Sequence, residues 1–122
     1  MAKVLIIDDD ALIRRLIART LVGAGHEVIE AMDGEEGLKL FRAEQPSLVV
    51  TDILMPGQEG ITTILALRQE QPKIAIIAIS GGGQGYGMNY LDYARKLGAD
   101  AALPKPFRPA ELIEVVNNLL SD

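Results

Sequence analysis

The chain has 122 residues, of which 48% are hydrophobic, 24% charged and 4% aromatic, a balance typical of a folded domain rather than a disordered or fibrous chain. Its length suits one domain, and no apolar run approaches the roughly 20 residues that span a bilayer. The absence of cysteine excludes disulfides and thiolate metal sites, and a net charge of -5 argues against a nucleic-acid-binding surface. We therefore expect a cytoplasmic domain whose partners include neither membrane nor nucleic acid.

Five short apolar runs mark the predicted strands, and a segment of helical period follows each of them. The runs begin near Val4, Val28, Leu48, Ile74 and Ala101. After the first run, apolar residues at helical spacing predict one helix face that packs on the core: Leu12, Ile13, Leu16, Ile17 and Leu21. The run 74–79 is continuously apolar, as expected of a strand covered by helices on both faces. The five strand–helix units predict an α/β fold with a doubly wound parallel sheet.

Polar residues stand at the ends of four predicted strands. They are Asp8, Asp9 and Asp10 after the first strand, Asp52 after the third, Ser80 at the end of the fourth and Lys105 just after the fifth. Open parallel sheets bind ligands beyond the carboxyl ends of their strands. If the first and third strands are neighbours, the carboxylates converge and repel one another unless a cation intervenes or one carboxyl is protonated. Oxygen ligands without histidine or cysteine favour Mg²⁺.

This set of groups suits phosphoryl transfer, because it combines a carboxylate nucleophile, a divalent ion and two donors, Lys105 and Ser80. Each residue also has an ordinary structural interpretation. Asp10 can cap the first helix, the pair 8–9 can be solvated, Asp52 can open a turn, Lys105 can be a surface lysine, and Ser80 can cap a loop. The functional interpretation is favoured because all of these residues fall at the same end of consecutive strands.

Short motifs along the whole chain strengthen this interpretation. They are VLIIDD at 4–9, DILMPG at 52–57, IS at 79–80, GAD at 98–100 and KPF at 105–107. In this order and spacing they resemble the receiver domain of bacterial two-component response regulators. The similarity covers essentially the whole chain, which we treat as one receiver domain, 1–122. It implies a flavodoxin-like fold with a five-stranded sheet in the order 2-1-3-4-5.

The resemblance also implies roles for the acidic residues. Asp52 would be the phosphoacceptor, taking a phosphoryl group from a phosphohistidine on a sensor histidine kinase or a histidine phosphotransfer protein. Mg²⁺ would be bound by the carboxylates of Asp9 and Asp52 and by the backbone carbonyl of Leu54. Asp8 would hold the ion through a metal-bound water molecule.

Further implications concern the phosphoryl group and the output. Lys105 would pair with the phosphoryl oxygens, Ser80 would hydrogen-bond one of them, and the Lys105–Pro106 peptide bond would be cis. The domain would not be an enzyme for a separate substrate, although it would catalyse its own phosphorylation and dephosphorylation. Because the sequence ends soon after the fifth predicted helix, we expect a stand-alone response regulator. It would pass the phosphoryl group on or bind a protein target through the fourth helix, fifth strand and fifth helix.

Two departures from the family pattern bear on signalling. The family usually carries Tyr or Phe three residues before the lysine, but Ala102 stands there and a methyl group has no rotamer to report phosphorylation. The segment 81–87 contains five glycines, and ordering it costs roughly 1–2 kcal/mol per residue. We predict that phosphorylation recruits Ser80 and orders this loop, which hydrogen exchange across 81–90 would detect.

Three alternatives remain open at this point. A Mg²⁺-dependent aspartyl-phosphate phosphatase typically needs a second acid two residues after its nucleophile, a spacing that Asp8 and Asp10 offer but Asp52 and Leu54 do not. A flavodoxin-like cofactor module is disfavoured because an acidic loop after the first strand repels phosphate. A degenerate receiver that binds its partner without phosphorylation is disfavoured by the intact acceptor, lysine and acid pair.

Overall fold

Strands and helices alternate in a computed structural model whose described residues are 2–53, 59–80, 94–96 and 98–121. The strands are β1 (Lys3–Ile7), β2 (Glu27–Ala31), β3 (Leu48–Asp52), β4 (Ala75–Ser80) and β5 (Ala101–Pro104). The helices are α1 (Ala11–Gly23), α2 (Gly34–Glu44), α3 (Glu59–Glu70) and α4 (Pro109–Leu120). Helix α4 is the fifth predicted helix, and residues 94–96, also helical, are the described part of the fourth. Within these ranges no helix is both long and apolar enough to span a membrane.

The five strands form one parallel sheet in the order β2-β1-β3-β4-β5, which confirms the predicted fold and strand order. Strand β1 lies beside β3, with Ile7 paired to Thr51, and β3 lies beside β4, with Asp52 paired to Ile79. Because parallel strands share one direction, the residues that follow β1 and β3 emerge at the same edge of the sheet. This edge carries the candidate site.

Two apolar layers cover the two faces of the sheet. Along β1, Leu5 and Ile7 belong to the layer shared with α2 and α3, whereas Val4 and Ile6 belong to the layer shared with α1 and α4. All four side chains are fully buried, and burying an aliphatic side chain contributes about 1.5–3 kcal/mol. Both faces of a central strand therefore need apolar residues, which explains the continuous apolar runs in the sequence.

Two residues that the sequence predicts to face the core from α1 are exposed instead. Ile17 and Leu21 are buried as expected, but Leu12 is 74% and Leu16 is 57% exposed. The prediction is wrong for these two residues because the apolar stripe on α1 is wider than the helix's contact with the sheet and α4. Leu12 and Leu16 therefore lie on the surface, near the end of α1 that faces the candidate site.

Helix α3 begins in close contact with the end of β3, and Gly60 permits this contact. A Cβ atom at position 60 would collide with the Asp52 carbonyl oxygen and the Ile53 Cα atom. Since these are backbone atoms, a side chain at this position would have to displace either α3 or the end of the strand that carries Asp52. The glycine therefore supports the position of the candidate phosphoacceptor.

Candidate functional site

Three carboxylates meet at the edge of the sheet where β1 and β3 end. One oxygen atom from each of Asp8, Asp9 and Asp52 lies within 4.8 Å of the others. Asp8 is fully buried and Asp52 is 5% exposed, whereas Asp9 is exposed. The pairing of β1 with β3 produces this cluster, and the structure thus brings together the three acids that the sequence predicted to converge.

Lys105 lies between the two buried carboxylates. Its Nζ atom is 3.1 Å from Asp8 Oδ2 and 3.3 Å from Asp52 Oδ2, and its side chain is only 15% exposed. Its backbone N–H donates to the Ser80 carbonyl at 2.7 Å, which ties the segment after β5 to the end of β4. The Lys105–Pro106 peptide bond is cis, as the family resemblance implied.

Burial and charge shape the titration of this group of residues. Burial raises the pKa of Asp8, and the charge of Asp52 adds to the rise, which the Asp10 N–H and Lys105 only partly oppose. Burial alone would lower the pKa of Lys105, but attraction to Asp52 and Asp8 outweighs it and the pKa is raised. Lys105 therefore stays charged. Among the described residues, the Lys105 ammonium contacts two of the three clustered acids, so the cluster favours a further cation.

The donor atoms of the cluster suit a hard divalent cation. Asp8, Asp9 and Asp52 offer carboxylate oxygens, and neither histidine nor cysteine belongs to this described group. Mg²⁺ prefers one or two carboxylates together with waters and a phosphate oxygen, and the exposure of Asp9 leaves one side open to solvent. The residues therefore fit the predicted Mg²⁺ ion. Leu54, the expected carbonyl ligand, lies outside the described residues.

Asp10 has the ordinary structural role that the sequence suggested. Its Oδ1 atom accepts hydrogen bonds from the Leu12 N–H at 3.0 Å and the Ile13 N–H at 3.3 Å, and it caps the N-terminus of α1. The Asp10 N–H donates to Asp8 Oδ1 at 2.9 Å. Asp10 is therefore part of the frame that orients the acidic cluster.

Sequence reasoning missed two residues behind the cluster, Arg14 on α1 and Glu30 on β2. Arg14 donates from Nη1 to the Asp8 carbonyl oxygen at 2.8 Å and from Nε to Glu30 Oε1 at 3.0 Å. Glu30 lies near the end of β2, the one predicted strand whose end carries no candidate site residue. The available signal was an arginine one turn into the helix that follows the acidic triplet, which by itself does not identify the partner.

The sequence assigns Ser80 to the phosphoryl group, and it predicts that Ala102 and the segment 81–87 determine how phosphorylation is signalled. The structure describes Ser80 and Ala102. Ser80 is the last residue of β4 and is 2% exposed, so it stands one strand away from Asp52 at the same edge. Ala102 is partly buried and pairs with Ala78. The glycine-rich segment 81–87 and its predicted ordering lie outside the described residues.

An apolar groove of about 350 Å³ adjoins the acidic cluster. It runs between α1 and the segment that follows β5, and Lys105 belongs both to the groove and to the cluster. Its other lining residues are Ile13, Leu16, Ile17, Thr20, Pro106, Phe107 and Pro109. The exposed apolar surface of α1 is therefore continuous with the candidate site.

The fold and the acidic edge define a doubly wound α/β domain built around a candidate metal site. A family model described as the response regulator receiver domain matches residues 4–117. The chain belongs to this family. Two solved structures support the fold. The response regulator receiver domain protein from Clostridium thermocellum is 31% identical, with a TM-score of 0.90 over 98% of this chain and 94% of that one. Vibrio cholerae chemotaxis protein CheY4 is 30% identical, with a TM-score of 0.87 over 98% of this chain and 99% of that one.

Curated relatives of two lengths are similar to the chain. The probable transcriptional regulator ycf27 of Porphyridium aerugineum is 39% identical over 120 residues, which make up 97% of this chain and 48% of that protein. The chemotaxis protein CheY of Thermotoga maritima is 34% identical over 118 residues, 96% of both chains. The chain thus spans about half the length of the first relatives and nearly all of CheY.

Proposed function

We propose that the domain accepts a phosphoryl group on Asp52 from the phosphohistidine of a sensor histidine kinase or histidine phosphotransfer protein, in a Mg²⁺-dependent reaction. The observation that carries this proposal is the convergence of a buried Asp52, two further acids and Lys105 at one edge of the sheet. Aspartate is a known covalent nucleophile in phosphoryl transfer, and the surrounding charges are of the types that this transfer needs.

The proposed roles of the acidic residues are those that the resemblance to receiver domains implies. A carboxylate oxygen of Asp52 forms a bond to phosphorus while the phosphorus–nitrogen bond breaks, and the electron pair leaves with the imidazole. Asp9 and Asp52 would hold Mg²⁺ directly, with the Leu54 carbonyl, and Asp8 through water. When bound, the ion supplies neutralisation of the charge on the transferring oxygens.

Lys105 and Ser80 serve the phosphoryl group itself. The Lys105 ammonium, which already contacts Asp52 Oδ2 at 3.3 Å, is close enough to move onto a phosphoryl oxygen. Ser80, at the end of β4, would hydrogen-bond another oxygen. These two contacts stabilise the negative phosphoryl group in a mostly buried site, where charge-assisted hydrogen bonds are strong.

The apolar groove beside Lys105 would receive a helix of the phosphodonor. A donor must bring its phosphohistidine to Asp52, and the groove is the apolar surface continuous with that site. Leu16, which lines the groove, is exposed, and so is Leu12 one turn earlier on α1. Apolar side chains that are exposed in the free domain would then be covered in the complex.

The domain is proposed to act as a phosphoacceptor in the cytoplasm rather than as an enzyme for a separate substrate. Its output would be onward transfer or altered binding of a protein target through the fourth predicted helix, β5 and α4. The stand-alone form stays a prediction, because relatives of both lengths match. The mass of the endogenous protein in its source cell tests it.

Incubation with Mg²⁺ and acetyl phosphate, followed by intact-mass analysis, tests the proposed chemistry. We expect at most one added phosphoryl group per chain, with loss of labelling in Asp52→Asn and retention in the matched control Asp33→Asn on the α2 cap. Catalytic turnover of a small phosphoester without labelled protein would instead favour the phosphatase alternative. Equal labelling of Asp52→Asn would contradict the proposal.

A further inference from the structure

The Asp9 side chain is held in place through its backbone alone. Within the described part of the chain it has no hydrogen-bond or ion-pair partner of its own. Both peptide groups that flank it are fixed. The preceding carbonyl, that of Asp8, accepts from Arg14 Nη1 at 2.8 Å, and the following N–H, that of Asp10, donates to Asp8 Oδ1 at 2.9 Å.

Arg14 is anchored so that it can hold this peptide. Its Nε atom donates to Glu30 Oε1 at 3.0 Å, and its side chain is only 16% exposed. The guanidinium thus bridges the acidic loop after β1 and the end of β2. It lies near the N-terminus of α1, where the helix dipole disfavours a cation. Its contacts, rather than helix stability, account for an arginine at this position.

We propose that Arg14, anchored by Glu30, is a positioning residue for the metal ligand Asp9. This inference rests on the proposed function, because it requires Asp9 to bind Mg²⁺. By fixing the Asp8–Asp9 peptide plane, Arg14 sets the direction in which the Asp9 carboxylate leaves the chain. Groups that orient metal ligands typically change metal affinity by about 10–100-fold when they are removed.

The direction in which Mg²⁺ affinity changes when Arg14 is replaced distinguishes a positioning role from an effect of its charge. Arg14 is a cation close to a cation-binding cluster, so removing its charge alone would strengthen Mg²⁺ binding. Loss of positioning has the opposite effect and weakens binding. The choice of ion gives a second distinction, since Mg²⁺ requires near-ideal octahedral geometry whereas Ca²⁺ accepts flexible coordination. A general loss of folded protein or a change of charge would affect both ions alike.

The test compares Mg²⁺ and Ca²⁺ dissociation constants of the whole chain, measured by isothermal titration calorimetry, for the wild type and Arg14→Met. The matched control is Arg15→Met, because Arg15 is 72% exposed, lies 3.7 Å from the same Glu30 oxygen and has no bond to Asp8. We expect Arg14→Met to weaken Mg²⁺ binding about tenfold and Ca²⁺ binding less than threefold. The control should bind Mg²⁺ at least as tightly as the wild type.

Unchanged or tighter Mg²⁺ binding by Arg14→Met, or an equal loss for both ions, would overturn the inference. If Arg14→Met does not fold, Arg14→Lys is measured instead. Lysine keeps the charge but cannot bond the Asp8 carbonyl and Glu30 at once with the geometry of a guanidinium. Weaker Mg²⁺ binding by this variant, at nearly constant Ca²⁺ binding, supports positioning. Equal binding by Arg14→Lys and the wild type overturns it. Failure of the wild type itself to bind Mg²⁺ would refute the proposed function instead.

Discussion

Replacement of Lys105 by methionine should destabilise the metal-free domain by about 3 kcal/mol near neutral pH. The ammonium lies 3.1 Å from Asp8 Oδ2 and 3.3 Å from Asp52 Oδ2, and at an effective dielectric constant of about 20 each attraction is worth about 5 kcal/mol. Desolvation of the three charges offsets much of this gain. Methionine keeps an unbranched stem of similar length but removes the ammonium that both buried carboxylates contact.

The loss should depend on pH with a defined sign. Burial already raises the pKa of Asp8, and Lys105 is one of the groups that oppose the rise, so the variant should raise the pKa of Asp8 further. Since this folded-state pKa lies above the unfolded value, stability falls as pH increases from about 4 through the folded pKa. The difference between variant and wild type should therefore be larger at about pH 7 than at about pH 5.

Urea unfolding followed by circular dichroism, with a chelator present, measures this difference. The matched control is Lys39→Met, because Lys39 is exposed on α2 and its replacement should change the free energy of unfolding by less than about 0.5 kcal/mol. Added Mg²⁺ should recover part of the loss in Lys105→Met because it supplies positive charge to the same carboxylates. A loss below about 1 kcal/mol, or one independent of pH, would refute the electrostatic reasoning.

Three further substitutions test other parts of the site. Asp8→Asn should raise the free energy of unfolding of the metal-free protein, measured in urea, because it removes a buried charge whose pKa burial raises; an unstable variant would contradict this. Gly60→Ala should cost about 1–3 kcal/mol and slow labelling by acetyl phosphate, whereas Gly23→Ala, with open space around it, should not. Leu16→Glu should slow transfer from a phosphohistidine donor but leave labelling by acetyl phosphate unchanged. Equal slowing of both reactions would contradict binding of the donor in the groove.

The strands and the acidic cluster could be predicted from the sequence because they depend on local and topological rules. The run 74–79 is apolar on both faces, and this identifies a central strand whatever its exact neighbours. Asp8 and Asp52 each follow a strand directly, so parallel pairing alone brings them to one edge. Lys105 reaches the same edge because it directly follows β5, which is parallel to β4.

Side-chain reach and the width of contact surfaces could not be predicted. The bond from Arg14 to the Asp8 carbonyl depends on how far a long side chain bends back over the end of β1, and that distance leaves no pattern in the sequence. Periodicity identifies the apolar stripe of α1 but not which part of it the sheet covers, so the pattern alone does not separate the exposed Leu12 and Leu16 from the buried residues. The role of Gly60 depends on the approach of two backbones that lie apart in sequence.

Location of the phosphorylated residue tests the central claim most directly. After labelling with acetyl phosphate, borohydride reduction converts a phosphorylated aspartate to homoserine, and tandem mass spectrometry identifies its position. We expect homoserine at position 52 when Mg²⁺ is present and unmodified Asp52 when the ion is chelated. Homoserine at position 8 or 9, or equal modification of Asp52 with and without Mg²⁺, would contradict a Mg²⁺-dependent phosphoacceptor at the end of β3.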